Sequence, residues 1–447
     1  MQKKLTEGNI TKNILFFMFP ILIGNGLQRV YTLVDTMMVG RLLGTNELAA
    51  VGASSVIANL FIDLCSTFTA GFAIVIAMFY GANDEEKMKK SLASTYFLSA
   101  IITVILTVAG LFLAPVILHW TKVPVDIQPM ANKYLNIMIG GLIFTLIYNM
   151  MANILRSLGD STVPLFFLVT SVILNIFLDY FSITKFNAGV SGVAAATIIS
   201  QGFSGCACIV FCVFKRKILG VKKSDFKPEG KIYKMIISQG LAMALMLSVV
   251  SLSTLILQTG INSLGTTMIA GYMAGRKYLE LFMMPGAAIS MTAANYVSQN
   301  FGAKLFDRIK KGVNQMYLIS LIWAVISFGI IFIFGRQIIV SVTGNDASEE
   351  IIQSGIKYMR IGVCFFSLLF ILVITRSSLQ GLNHKKTPVF SSCIELAVKI
   401  IAVLVLVPYL GFFGICITEP LIWTINGIWI YPAFRSILKK EIILQKK

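Results

Sequence analysis

Leu92 to Leu118 reads LASTYFLSAIITVILTVAGLFLAPVIL, without one charged side chain. As an α-helix rising 1.5 Å per residue it reaches about 40 Å, more than the ~30 Å hydrocarbon core of a bilayer. Such a stretch is read as a membrane span. Apolar runs of about 18 to 28 residues recur on both sides of it along the whole chain of 447 residues. Hydrophobic residues make up 56% of the total and charged ones 13%, where soluble proteins carry about 25% charged. The alternating pattern of a transmembrane barrel is missing. The expectation is an all-α, polytopic membrane protein.

Spans are predicted over 14–40, 51–80, 92–118, 131–155, 164–183 and 190–214, then 235–260, 268–300, 313–335, 357–377, 388–410 and 413–435. The one long polar stretch inside the chain, Lys215 to Lys234 (KRKILGVKKSDFKPEGKIYK), divides these twelve helices six and six. This gives an N-lobe over 1–214, a cytoplasmic linker over 215–234, and a C-lobe over 235–447 that ends in a basic tail.

The halves also repeat. Tyr80-Gly81-Ala82 followed by Lys87, Lys89 and Lys90 matches Phe301-Gly302-Ala303 followed by Arg308, Lys310 and Lys311. The step from Tyr80 to Phe301 recurs unchanged between Leu43-Gly44-Thr45 with Ala49 and Leu264-Gly265-Thr266 with Ala270. Nearly the same step carries the turn Leu158 to Pro164 onto Leu382 to Pro388, and Gly192 to Thr197 onto Gly414 to Glu419. Near-constant offsets indicate a duplication. Six helices per repeat insert both lobes in one orientation, related by an axis along the membrane normal, with a central cleft as the place for a cargo.

The net charge of +18 is distributed in a way that sets topology. Most of the 38 Lys and Arg fall in segments that share one side of the membrane: the N-terminus, the loop after Gly81, the turn at Arg156, the 215–234 linker, the Lys304–Lys311 loop, the His384–Lys386 turn and the tail. That is the positive-inside pattern, which places both termini in the cytoplasm of a bacterial or archaeal plasma membrane. Nucleic-acid binding is set aside. The seven cysteines lie in or beside apolar segments and form no paired CxxC motifs, and His119 and His384 are the only histidines. No nucleophile, acid–base or metal constellation is present, so an enzyme is not expected. No cofactor is expected either.

Charge inside the hydrocarbon region is costly and marks function. In the first half it occurs at Arg29, Asp35, Asp63 and Asp179. Asn25, Gln28, Tyr31 and Asp35 are spaced three, three and four apart on one face of the first helix; Asn175 and Asp179 share a face of the fifth. From the direction of each helix, Tyr134 and Thr197 reach the same depth as these two carboxylates. Six oxygen-bearing side chains, Tyr31, Asp35, Tyr134, Asn175, Asp179 and Thr197, thus form a candidate site for a hard cation, H+ or Na+. Gln28, Asn149 and Asn153 are its expected neighbours. Arg29 is read as a partner for Asp63 or a headgroup anchor, and Pro20 as a bend in the first helix. In the second half the counterparts of Asn175 and Thr197 are Lys399 and Glu419. With Glu395 one turn before Lys399, they form an expected buried charge cluster.

The first helix with Pro20 and Val34-Asp35-Thr36, the turn Leu155-Arg156-Ser157-Leu158-Gly159-Asp160-Ser161-Thr162-Val163-Pro164, and Asn175-Ile176-Phe177-Leu178-Asp179 resemble the multidrug and toxic compound extrusion (MATE) family. So do Gly192 to Thr197 and Leu379-Gln380-Gly381. The resemblance covers essentially the whole chain. It implies alternating access by two six-helix lobes and export of amphipathic organic cations against H+ or Na+ entry, by a monomer. Asp35, Asn175, Asp179 and Thr197 correspond to the family's N-lobe cation site, where Na+ would bind. The NorM-like branch carries a glutamate in helix 7 and an aspartate in helix 10; Ile236 to Gly260 and Lys357 to Ser377 contain no carboxylate here. The chain therefore looks more like the DinF-like branch. The alternative function in the same superfamily is a lipid-linked oligosaccharide or polysaccharide flippase. Such a protein needs a basic cavity for a pyrophosphate, whereas the polar interior of the first half reads acidic.

Overall fold

The structure is a computed structural model that describes residues 4–121, 123–215, 219–227, 229–344 and 346–446. In the first half α1 is Ile10–Leu42, α2 Thr45–Gly81 and α3 Glu85–Trp120. α4 comes in two pieces, Gln128–Gly140 and Leu142–Ser157, and is followed by α5 (Thr162–Thr184) and α6 (Gly189–Lys215). In the second half α7 is Gly230–Asn262, α8 Thr266–Gly302 and α9 Phe306–Thr343. α10 is again in two pieces, Glu349–Cys364 and Phe366–Gly381, before α11 (Lys386–Leu410) and α12 (Phe412–Lys446). Among the described residues nine helices are long and apolar enough to cross a bilayer, eleven when each bent pair counts as one span. α8, 37 residues long, is the twelfth by length; Arg276, Lys277 and Glu280 in one half and Thr292, Asn295 and Gln299 in the other lower its apolar character. Of the 215–234 linker, residues 216–218 and 228 lie outside the described residues; Lys223–Phe226 forms a single 3-10 turn.

α3 shows why these sequences make membrane helices. Its N-terminus is capped by Asp84, whose carboxylate accepts from the Lys87 backbone N–H at 3.0 Å and pairs with the Lys87 ammonium at 2.7 Å. Those hydrogen bonds hold the Asp84 carboxyl below the usual carboxylate range. Farther along, Ile101, Val104, Ile105, Val108 and Phe112 recur at helical spacing and are exposed, while Ser91, Thr95, Ser99, Thr103 and Gly110 are buried. The large apolar groups face outward, and the small and hydroxylated ones pack inward. That is the arrangement expected where lipid is the solvent and close approach, not hydrophobicity, holds helices together.

The chain forms two compact units, Met1–Lys4 with Phe19–Ala244, and Leu5–Met18 with Leu245–Lys447. The beginnings of α1 and α7 are thus exchanged. In the first unit Ile232 and Ile236 at the start of α7 pack on Phe72 and Val75 of α2. The two helices meet so closely that a Cβ on Gly71 would lie 2.7 Å from the Gly240 Cα. In the second unit the Arg308 guanidinium gathers the carbonyls of Leu5, Glu7 and Gly8 at 3.2, 2.8 and 2.8 Å, and Gln299 accepts from the Leu5 N–H at 3.0 Å.

Both units break their fourth helix at the same place in the repeat. α4 bends by 46° at Gly141 and α10 by 56° at Phe365, positions related by the same step that carries Leu158 onto Leu382. At Gly141 a Cβ would come within 2.1 Å of the Ile198 side chain, so only glycine permits α6 to pass there. α11 contains a wide π turn at Ala402–Leu406, which α5 lacks.

Candidate functional site

Five helices of the first unit turn polar side chains toward one cavity of about 310 Å3. α1 contributes Gln28, Tyr31 and Asp35, spaced three and four apart so that helical periodicity aligns them. α4 contributes Tyr134 from its first piece and Asn149 from its second; α5 contributes Asn175 and α6 Thr197. α2 adds Ser55, Asn59, Asp63 and Ser66. Of these four only Asp63 was singled out in the sequence, by its charge; Ser55, Asn59 and Ser66 were not, although the spacing of four, four and three is the same signal that identifies the α1 face.

The hydrogen bonds converge on Thr197 and Asp179. The Tyr31 hydroxyl lies 3.1 Å from Thr197 Oγ1. With its amide nitrogen turned to Asp179, Asn175 donates to Asp179 Oδ2 at 2.9 Å and accepts from the Thr197 N–H at 3.2 Å. Asp179 is fully buried behind the cavity wall, and its carboxyl group is close enough to Asp35 for the two to act on each other's charge. On each aspartate Oδ1 has no hydrogen-bond partner among the described residues. No Lys or Arg lines the cavity. Two like unit charges about 4 Å apart repel by about 4 kcal/mol even at an effective dielectric of 20, so sharing a proton or a cation would stabilise such a pair. Tyr31, Thr197 and Asn175 supply the neutral oxygens that a hard cation would take in addition.

The remaining residues fall in different places. Gln28 and Asn149 face the cavity. Asn153 does not line it: its amide donates to Thr69 Oγ1 at 3.0 Å and its oxygen accepts from Arg156 at 3.3 Å, tying α4 to α2. Arg29 lies close enough to Asp63 to act on its charge. Pro20 sits inside α1, just past the residue where that helix passes from one compact unit to the other.

In the second unit Lys399 is buried, with its ammonium 3.1 Å from both Glu395 Oε1 and Glu419 Oε1. A fourth member went unnoticed in the sequence. Arg376 approaches Glu395 Oε2 at 3.3 Å and donates to Ser391 Oγ at 2.8 Å. It stands inside a predicted span, so the rule that singles out intramembrane charge applied to it, as it did to Arg276 and Glu280. All six line a second cavity of about 270 Å3.

Known proteins are similar along this whole length. The family model described as MatE matches residues 20–181 and 242–405. YpnP of Bacillus subtilis (strain 168), a probable multidrug resistance protein, is 26% identical over 405 residues, covering 87% of this chain and 90% of its own. NorM of Thermotoga maritima, another probable multidrug resistance protein, is 25% identical over 449 residues, covering 97% and 95%. A crystal structure of a MATE protein in the bent conformation shares the fold, with a TM-score of 0.92 at 22% identity over 99% of this chain and 98% of that one.

Proposed function

The chain belongs to the MatE family, and from that premise we propose that it is a secondary active exporter, exchanging amphipathic organic cations for H+ or Na+ by alternating access. The observation that carries this reading is the closeness of the buried Asp179 carboxyl to Asp35, which lines a cavity with no basic side chain. When a proton or Na+ is held there, the repulsion between the two carboxylates is relieved and α1 and α5 stay together. When it leaves, two like charges face each other across those helices, and either they separate or an organic cation takes the vacant role. Such a site is loaded by one cation and emptied in favour of another, which is what an antiporter requires. The relatives' names, probable multidrug resistance proteins, support drug-like cargo. We place the protein in the plasma membrane as a monomer with both termini in the cytoplasm.

Expression in a drug-sensitive bacterial host tests the substrate class. Tolerance to ethidium and other lipophilic cations should rise several-fold. Unchanged tolerance, together with rescue of a strain lacking a lipid-linked sugar flippase, would show that the cargo is a lipid-linked glycan instead.

A further inference from the structure

The two cavities occupy equivalent positions in the repeat, and the second is built around charges that the first lacks. Pro164 and Pro388 stand at the start of α5 and α11, and Asn175 and Lys399 each follow at the same distance along their helix. Thr197 and Glu419 stand equally far beyond a glycine packed on the end of the preceding helix. A Cβ on Gly192 would lie 2.8 Å from Ser182 Cβ, and one on Gly414 2.5 Å from the Leu406 carbonyl oxygen. Tyr134 and Tyr358 are both buried, each two turns before the break in its helix. The set Tyr134, Asn175 and Thr197 of the first unit is therefore Tyr358, Lys399 and Glu419 in the second, and each set lines its own cavity.

The charges differ in kind. The first cavity is lined by Asp35 and Asp63 with no basic residue; Arg29 is close enough to Asp63 to act on its charge, which leaves the Asp35 and Asp179 pair to be compensated from outside the chain. The second is lined by Arg276, Arg376 and Lys399 against Glu280, Glu395 and Glu419, and is balanced from within. Lys399 is 2% exposed, and its ammonium sits between two carboxylates at 3.1 Å. The positions equivalent to the two aspartates are Ile256 and Val403, the latter inside the π turn of α11.

We propose that Lys399 is a tethered stand-in for the coupling cation, holding permanently in the second unit the place that H+ or Na+ holds transiently in the first. Each chain then has one exchangeable cation site. This rests on the reading that Asp35 and Asp179 hold the coupling cation, and the test separates the two. Cations bound per purified chain are counted with radioactive sodium, and protons by their release into a pH-indicator solution on adding ethidium. The parent should bind one cation of one kind. The Asp35→Asn, Asp179→Asn double variant should bind none. Lys399→Asn installs the residue of the first unit and leaves Glu419 without its salt-bridge partner, so its count should rise from one to two.

A parent that binds no cation overturns the reading of the first unit, and this inference with it. A parent that binds two cations, or a cation that remains when both aspartates are replaced, overturns the inference alone. So does a folded Lys399→Asn protein that still binds one. The first two counts involve no change in the second unit, so they decide the matter even if Lys399→Asn does not fold.

Discussion

Lys399 has two carboxylate partners, but only one of them depends on it alone. Glu395 also has Arg376, whereas Glu419 has no second basic partner in salt-bridge contact among the described residues. Lys399→Ala should therefore leave Glu419, whose side chain is 25% exposed, without its salt-bridge partner and lower stability, by less than the ~3–5 kcal/mol that a fully buried pair would cost. Glu419→Gln in the same background should recover part of that loss. Thermal unfolding of the purified single and double variants measures both effects; a Lys399→Ala protein as stable as the parent would contradict the pairing. Single residues were legible in the sequence where intramembrane charge and helical spacing coincided, as at Asp35, Asp179 and Lys399. Arg376 was missed for the opposite reason. Its partners Ser391 and Glu395 lie 15 and 19 residues away on another helix, a distance that no periodicity reports.

Helices α2 and α7 meet in the first unit with no room for a side chain. A Cβ on Gly71 would be 2.7 Å from the Gly240 Cα and 3.0 Å from the Gln239 carbonyl oxygen, backbone that cannot step aside. Gly71→Val should lower stability by about 1–3 kcal/mol or more through overpacking. Gly52→Val on the same helix, with nothing within 4 Å, is the control and should unfold at the parent's temperature. Equal unfolding temperatures for the two variants would show that the contact is looser than described. At this scale the existence of twelve helices was legible from the length of apolar runs, but the breaks in α4 and α10 were not. Residues 131–155 and 357–377 read as uninterrupted spans because the apolar pattern continues through Gly141 and Phe365 and no proline marks either bend. At Gly141 the constraint is Ile198, a neighbour that belongs to another helix, two elements farther along the chain.

For the whole molecule, the duplication explains both the fold and its asymmetry. Matching turns at near-constant offsets announce two six-helix units, and the structure breaks, packs and hollows each of them at equivalent positions. What the offsets do not reveal is that α1 and α7 begin in the other half's unit. That exchange depends on contacts such as Arg308 with Leu5, residues from opposite halves of the sequence. The account makes the first unit the place where ion movement is coupled to export, through Asp35 and Asp179. Ethidium transport by protein reconstituted in liposomes, with Na+ and H+ gradients imposed one at a time, tests this most directly. The parent should move ethidium against one of the two gradients, and Asp35→Asn and Asp179→Asn, inserted in equal amount, should each lose that movement. Gradient-driven transport at the parent's rate by both variants would contradict the account.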